Sequence, residues 1–397
     1  MKKGRSFLNY LLLVLSIVAG LFVVEIGMRI AKIEYPIFQT FDTHRGFALR
    51  PNASGWWLRE GKAYVEINSD GLRDREHDKK KINNYFRIAI LGDSFAEARS
   101  MKLDKTFWFL MERKLNNCKN NKYEQIEVIN FGVTEYGTTQ QLLTLRHEVW
   151  DYDPDIILLA FFSGNDVADN SKLLSKKKYR PYFIYQEDKI IIDNSFRDSK
   201  PYMLLKSNLG QLIIKMSSYS RIVQLLREIY VKNYFKKKVD RKKINNKKNE
   251  KVEEPVINYE QLYNPSTKVW KEAWKVTESV IKLMNNDIIN KNKNFIVATL
   301  SNPLQVHPDT SYREKQKEKF GIRDLFYPDK RIKKLGAVEG FMVINLAEKM
   351  QEHADKTNSF FHGFNNTIMG EGHWNERGHK IASEIIAKNI CKNFKLF

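Results

Sequence analysis

Cysteine is scarce in this sequence: its 397 residues contain only Cys118 and Cys391. Two cysteines cannot build a disulfide framework or a thiolate metal cluster. They can form one disulfide in an oxidising compartment, but the sequence alone does not show whether they pair. The eight histidines also lack the spacing to a second histidine, cysteine or carboxylate pair that a metal site needs. We therefore expect no metal site.

Nucleic-acid-binding motifs are also missing, although the formal net charge is +20. An excess of this size favours anionic partners such as phosphate-bearing polymers or lipid headgroups. Here the charge is diffuse, because lysine and asparagine recur throughout the chain, as in residues 116–122. Charge without a motif does not predict nucleic-acid binding, and we expect none.

Low-complexity composition is absent as well. Hydrophobic residues make up 42% of the chain and aromatic residues 12%, which is typical of a folded protein. A chain of this length can bury a full core, so a folded domain is expected.

The most apolar segment runs from Phe7 to Val24 and follows a basic tip at residues 2–5. About eighteen residues are near the lower limit for crossing a bilayer as a helix. No small-residue cleavage site follows, so the pattern favours an uncleaved anchor over a cleaved signal peptide or a buried core helix. The basic tip predicts a cytoplasmic N-terminus and an extracytoplasmic remainder, which we expect in a bacterial cell envelope. Arg29 and Lys32 weaken this orientation signal.

The chain divides into a tip and anchor (1–34), a lead-in segment (35–84) and an α/β domain (85–397). The lead-in segment is rich in aromatic and turn residues, and we expect irregular structure packed on the domain. In the domain, β-branched apolar runs predict buried parallel strands at 86–91, 126–131, 156–162, 295–300 and 342–346. Helical periodicity between them predicts a doubly wound sheet with helices on both faces.

A large insertion, at about 170–270, separates the third and fourth predicted strands. It contains an apolar helix candidate from Leu209 to Tyr230. Its centre, residues 236–251, is a lysine run almost without apolar residues. Such a run favours a solvated loop over a contact with anionic surface polymer or lipid headgroups.

Candidate catalytic residues follow the predicted strands, where open α/β sheets place their functional crevice. After the first strand comes Ser94, whose hydroxyl can attack a carbonyl while its backbone N–H helps to hold the oxyanion. A helix N-cap is the alternative reading of Gly92-Asp93-Ser94. Gly132 and the Asn165 side-chain amide, after the next two strands, are further candidate donors, although both residue types also favour turns.

A histidine-containing block, Gly372 to His379, precedes the last predicted helix. A histidine in such a loop can take the serine proton and later return it to a leaving group. A lone histidine is more often structural. The occurrence of four such features in this chain order makes coincidence a poor explanation.

Together these blocks resemble the four consensus blocks of the SGNH/GDSL hydrolases, and the resemblance spans most of residues 65–392. It implies a flavodoxin-like three-layer α/β/α sandwich with a parallel sheet, the SGNH hydrolase fold. It also implies Ser94 as nucleophile, His373 as base, and an oxyanion hole of Ser94, Gly132 and Asn165. No cofactor is implied.

The spacing of the last block selects His373 over His379, because Asn375 and Gly378 follow His373 at the family's intervals. We expect His379 and His362 to be structural. One position departs from the family: the aspartate usually found three residues before the histidine is Gly370 here. The alternatives are a Ser-His dyad, the nearby Glu371, or a carboxylate from elsewhere in the chain.

The implied reaction is acyl transfer through a serine ester. Water as acceptor makes the protein an esterase, and a sugar hydroxyl makes it an O-acyltransferase acting on an exported cell-surface glycan. In its blocks and anchor the chain resembles membrane-tethered SGNH proteins that modify exported polysaccharides, such as the alginate acetylation proteins. The alternatives are a non-catalytic binding or assembly protein of the envelope and a lipid esterase. The expected partners are an acylated small-molecule, glycan or lipid substrate and the membrane; no protein partner is predicted.

Overall fold

A computed structural model describes residues 2–118, 123–230 and 257–393. The chain begins with helix α1, Lys2–Ile30. Its segment Phe7–Ile30 has a mean hydropathy of 2.6 and is long enough to cross a membrane. The predicted anchor is therefore one exposed apolar helix. The lysine run at 236–251 lies outside the described residues.

The lead-in segment forms two antiparallel hairpins, which corrects the expectation of irregular structure. Strand β1 (Gln39–Asp42) pairs with β2 (Gly46–Leu49), and β3 (Ser54–Trp57) pairs with β4 (Ala63–Glu66). Buried and exposed residues alternate along β4, as expected for a strand with one face on a core. The hairpins bury Phe38, Phe47 and Val65 in a cluster with residues that follow the second strand of the main sheet.

Within the described residues, the main sheet has five parallel strands: β5 (Tyr85–Gly92), β6 (Gln125–Asn130), β7 (Ile156–Phe161), β10 (Asn294–Thr299) and β11 (Met342–Asn345). Two strands of the insertion, β8 (Tyr182–Gln186) and β9 (Lys189–Asp193), form an antiparallel hairpin outside the main sheet. The spatial order in the main sheet is β11-β10-β7-β5-β6. Counted in chain order from the other edge, this is 2-1-3-4-5, the order of flavodoxin-like folds. The predicted strands and fold class are confirmed.

Helices cover both faces of the sheet, with these bounds: α2 (Ser94–Glu97), α3 (Phe107–Asn116), α4 (Thr138–His147), α5 (Ser163–Asp169), α6 (Lys172–Ser175), α7 (Lys200–Lys206), α8 (Asn208–Ser217), α9 (221–230), α10 (Tyr259–Tyr263), α11 (Lys268–Ile289), α12 (Thr310–Phe320), α13 (Tyr327–Glu339), α14 (Ala347–Thr357) and α15 (Glu376–Asn393). In β5, Ile88 and Ile90 face the core formed with α3, α14 and α15. Ala89 and Leu91 face the core formed with α4, α11 and α13. Alternate strand residues thus fill two cores, which makes the three layers.

The insertion contains the β8–β9 hairpin followed by α7, α8 and α9. The single helix predicted from Leu209 to Tyr230 is wrong, because α8 ends at Ser217 and α9 begins at residue 221. The carboxylate of Glu25 accepts hydrogen bonds from the backbone N–H groups of Arg221 (2.9 Å) and Ile222 (3.1 Å). Satisfying these N–H groups from α1 starts a new helix at this point.

A disulfide joins Cys118, just after α3, to Cys391 in α15. The sequence left this pairing open. Because α3 and α15 lie side by side on one face of the sheet, the bond fixes the last helix of the domain to an early one.

Candidate active site

Ser94 is the first residue of α2 and follows the carboxyl end of strand β5, which lies between β7 and β6 in the sheet. The Asp93 side chain caps this helix by accepting a hydrogen bond from the Phe95 N–H at 2.9 Å. A Cβ atom on Gly92 would come within 2.7 Å of the Ala96 Cβ, so glycine is needed for the tight turn. The sequence allowed Ser94 to be either a nucleophile or a helix cap. Because Asp93 provides the cap, the Ser94 hydroxyl is available for other contacts.

The imidazole of His373 meets this hydroxyl. The distance from His373 Nε2 to Ser94 Oγ is 2.8 Å. The ring of Phe95 packs against the imidazole with 5.0 Å between ring centroids. A quarter of the His373 side chain is exposed, so solvent reaches the pair. The structure therefore brings together the nucleophile and the base that the sequence predicts, 279 residues apart.

A third residue, Glu60, completes the array. Its carboxylate accepts hydrogen bonds from the His373 backbone N–H, at 2.7 Å, and from His373 Nδ1. Because a carboxylate only accepts, the ring proton lies on Nδ1 and leaves Nε2 to accept the Ser94 proton. Burial on its own would raise the pKa of the Glu60 carboxyl, but the hydrogen bonds and charge of His373 lower it below the ordinary value. Glu60 is therefore ionised at neutral pH.

Glu371, the acid suggested by sequence proximity, does not occupy this position. Its side chain is exposed, and its backbone follows Gly370, whose φ of +88° turns the chain. The carboxylate comes instead from the loop between β3 and β4, the third of the alternatives the sequence left open. No pattern in the sequence links this loop to His373.

The β3–β4 loop is held by Asn366. The Asn366 side chain accepts a hydrogen bond from the Gly61 N–H (2.9 Å) and donates to the carbonyls of Gly61 (3.0 Å) and Leu58 (3.2 Å). A Cβ on Gly61, which has a φ of +67°, would lie 2.5 Å from the Ser100 carbonyl oxygen. Glu60 thus projects from a loop that is fixed on both sides.

The residues after His373 anchor its loop. Asn375 donates from its side chain to the Phe360 carbonyl (3.0 Å) and accepts from the Gly378 N–H (3.2 Å) at the start of α15. A Cβ on Gly378 would come within 2.4 Å of the Phe361 carbonyl oxygen. The spacing that selected His373 therefore has a structural basis in helix capping and close packing.

The other two histidines of this region are buried. His362 Nδ1 lies 2.7 Å from the Gly372 carbonyl oxygen, and His379 Nδ1 accepts the Phe107 N–H at 3.1 Å. Burial lowers the pKa of His362 to about 4 and that of His379 to about 3. Both are neutral side chains that tie the backbone together, in agreement with the structural role predicted for them.

Two of the predicted oxyanion donors, Asn165 and Gly132, donate hydrogen bonds to different groups of the protein. The Asn165 amide donates to the Asp93 carboxylate at 2.9 Å and has a second N–H for a ligand. The Gly132 N–H donates to Asn130 Oδ1 at 3.0 Å, and this bond has to break before Gly132 can hold an oxyanion. A Cβ on Gly132 would also lie 2.4 Å from the Ala96 Cβ. The donor role of Gly132 stays a prediction, whereas its close packing on α2 is evident.

Two buried carboxyl groups lie behind Ser94. Burial raises the pKa of Asp93 to about 6, although its bonds to Phe95 and Asn165 act in the opposite direction. Burial and the charge of Asp93 raise the pKa of Asp166 well above the usual range. Among the described residues, no group of three or more His, Cys, Asp or Glu side chains is placed to hold a metal.

Comparison with known proteins gives only distant structural likenesses. No family model matches the chain, and no curated protein matches it. Among solved structures, it resembles an acetyl xylan esterase (10% identity, TM-score 0.38, covering 77% of this chain and all of the other) and the lipase/acylhydrolase from Enterococcus faecalis (14%, 0.38, 79% and 98%). A catalytic mutant of an acetylxylan esterase from Geobacillus stearothermophilus gives 10% identity, a TM-score of 0.39, and coverage of 80% and 98%. At these values the function must be argued from the residues of this chain.

Proposed function

We propose that this protein is a serine-dependent ester hydrolase or O-acyltransferase of the SGNH/GDSL type. The observation that carries the proposal is the continuous array Ser94, His373 and Glu60. His373 Nε2 lies 2.8 Å from Ser94 Oγ, and Nδ1 is hydrogen-bonded to the Glu60 carboxylate. This is the arrangement of nucleophile, base and orienting acid that acyl transfer uses on many unrelated folds.

In the first half of the reaction, Ser94 Oγ attacks the ester carbonyl carbon and its proton passes to His373 Nε2. The positive charge that develops on the imidazole is stabilised by the ionised Glu60. The C–O bond of the ester then breaks, and the departing alkoxide takes the proton from Nε2. An acyl ester on Ser94 remains.

In the second half, His373 Nε2 takes a proton from the acceptor, whose oxygen attacks the acyl carbon. With water as acceptor, the products are a carboxylic acid and free Ser94. With a sugar hydroxyl, the product is a new ester. We assign the oxyanion in both halves to the backbone N–H of Ser94 and to the Asn165 N–H that does not bind Asp93.

We further propose that the site works on an acylated glycan on the extracytoplasmic side of the membrane. The apolar helix α1 supports attachment to a membrane. The Cys118–Cys391 disulfide supports an oxidising compartment, because such bonds persist outside the cytosol. A membrane-attached domain on that side of a bacterial membrane suits a polymer that is exported there.

The test uses the full chain in detergent, a fluorophosphonate probe and p-nitrophenyl acetate. Ser94→Ala should abolish probe labelling, and His373→Ala should reduce labelling and turnover by orders of magnitude. Ser311→Ala, at an exposed serine at the start of α12, is the matched control and should behave as wild type. Labelling that persists in Ser94→Ala, or a folded wild type that neither labels nor turns over ester, would refute the proposal.

A further inference from the structure

Helix α8 presents an apolar stripe to the outside of the molecule. Leu209, Leu212, Ile213 and Met216 are all exposed. Their spacing of three, four and seven residues places them on one face of a helix. Residues on the opposite face are buried, among them Ile214. Folded soluble domains rarely leave such a continuous apolar face in water.

The neighbouring helices α7 and α9 also have exposed apolar side chains. In α9, Leu226, Ile229 and Tyr230 are exposed, whereas the polar Gln224 and Glu228 are buried. In α7, the exposed apolar residues are Met203 and Leu204. Three consecutive helices therefore turn apolar side chains outward. We call these helices, residues 200–230, the apolar platform.

The apolar platform is attached to the end of helix α1. The Glu25 carboxylate accepts hydrogen bonds from Ser220 Oγ at 3.0 Å and from the first N–H groups of α9. Arg29 donates to the Tyr219 carbonyl, and the Tyr35 N–H donates to Gln224 at 2.8 Å. These contacts fix the start of α9 at the level of Glu25.

The length of the apolar run in α1 indicates how deep Glu25 would lie in a membrane. The apolar run from Phe7 to Val24 spans roughly 27 Å at 1.5 Å per residue. The hydrocarbon core of a bilayer is about 30 Å thick. If α1 crosses a bilayer, Glu25 therefore lies where hydrocarbon meets the headgroups. The apolar platform begins at this same boundary.

We propose that the apolar platform lies in the headgroup region of the membrane that α1 enters, with its exposed stripe among the acyl chains. The partner that covers the stripe is thus a phospholipid bilayer. The exposed lysines Lys206 and Lys215 border the stripe and suit anionic headgroups. Continuity with α1, whose exposed side chains are mostly apolar between Phe7 and Val24, favours lipid over a second protein. The interface rests on the membrane attachment of α1 proposed above and does not depend on the proposed chemistry.

The experiment compares two single-cysteine variants of the full chain in vesicles of phosphatidylcholine and phosphatidylglycerol. Leu212→Cys lies in the stripe, and Val338→Cys replaces an exposed apolar residue on α13. The native cysteines are joined to each other, so a thiol-reactive bimane labels the new residue. Iodide then measures access from water, and lipids brominated near the top of the acyl chain measure contact with the bilayer.

Interfacial helices bury their apolar face ~5–10 Å into the boundary, so the Leu212→Cys label should lose about half of its emission to brominated lipid. It should also be shielded from iodide, whereas the Val338→Cys label should show the reverse. Equal iodide quenching of both labels would mean that the stripe faces water. Shielding of the Leu212→Cys label from both quenchers would mean that a protein covers it. Either result overturns the proposal.

Discussion

The carboxylate of Glu60 binds both the backbone N–H and Nδ1 of His373, although 313 positions separate the two residues in the chain. Glu60 comes from a hairpin outside the parallel sheet, whereas His373 comes from the loop before the last helix. The two contacts together fix the orientation of the imidazole and the position of its proton. The hairpin before the α/β domain is therefore part of the site.

Replacing Glu60 tests this relationship. Glu60→Gln keeps a side chain of the same size but removes the charge that stabilises the imidazolium. We expect kcat for p-nitrophenyl acetate to fall by about two to four orders of magnitude, with little change in KM. Glu371→Gln, at the exposed acid next to the histidine block, is the control and should keep wild-type kinetics. A large loss in Glu371→Gln with none in Glu60→Gln would reverse the assignment.

Gly372 offers a second test, which keeps Glu60 in the sequence but moves its carboxylate. Its φ is +72°, and a Cβ there would come within 2.2 Å of Glu60 Oε1. Since that oxygen ends a flexible side chain, Gly372→Ala should displace Glu60 and lower kcat at least about tenfold. Gly321→Ala is the matched control, because Gly321 also has a positive φ (+63°) but no atom lies within 4 Å of the added Cβ.

Both alanine variants should lose roughly 1–2 kcal/mol of unfolding free energy through backbone strain. Only Gly372→Ala should also have a lower kcat, whereas Gly321→Ala should keep the kcat of the wild type. Equal activity in the two variants would show that the Gly372 backbone does not control the position of Glu60.

Histidine burial predicts how stability depends on pH. The pKa of His379 is about 3 in the folded chain against an ordinary value of 6.5, so the unfolded chain binds a proton first as the pH falls. Stability is therefore lost as the pH drops below 6.5, by about 2 kcal/mol between pH 6.5 and pH 5 for this residue. His362, with a pKa of about 4, acts in the same direction.

In His379→Asn, Oδ1 can accept the Phe107 N–H without titrating. Urea unfolding at pH 7 and pH 5 should show a smaller loss for this variant than for wild type. His353→Asn, at an exposed position on α14, should keep the wild-type difference. An unchanged difference in His379→Asn would contradict the assignment of a neutral buried imidazole.

The disulfide between Cys118 and Cys391 spans 273 residues. Closing a long loop restricts the unfolded chain, so reduction should lower the free energy of unfolding by about 2–4 kcal/mol. Thermal melting with and without dithiothreitol measures this loss. A Cys118→Ser/Cys391→Ser variant should melt at the lower temperature in both conditions. A dithiothreitol-dependent shift that persists in this variant would point to another cause.

Much of the sheet was predictable, because each buried strand is a compact apolar run that stands out locally. The run at residues 86–91 became β5 (Tyr85–Gly92), and the other four strands match their predictions within a residue or so. Ser94 and His373 were predictable as well, since they belong to short motifs whose spacing is local. Their closeness in space followed from the expected fold.

Glu60 was not predictable, because its role depends on a contact between two ends of the chain. The sequence around it indicates a turn but does not say where the hairpin packs. The break between α8 and α9 was missed for a similar reason. The residues from Leu209 to Tyr230 have a continuous helical pattern, and it is the Glu25 carboxylate of a distant helix that binds the N–H groups at the new start.

The separation of Glu60 and His373 has a consequence for the biosynthesis of the protein. During translation, the hairpin leaves the ribosome well before the histidine block does. A chain that is stalled, or cut by a protease before residue 373, has a serine and a carboxylate but no base between them. Under the proposed mechanism, catalytic competence therefore appears only after residue 373 has been synthesised and folded against the hairpin, and the growing chain stays inert toward esters until then.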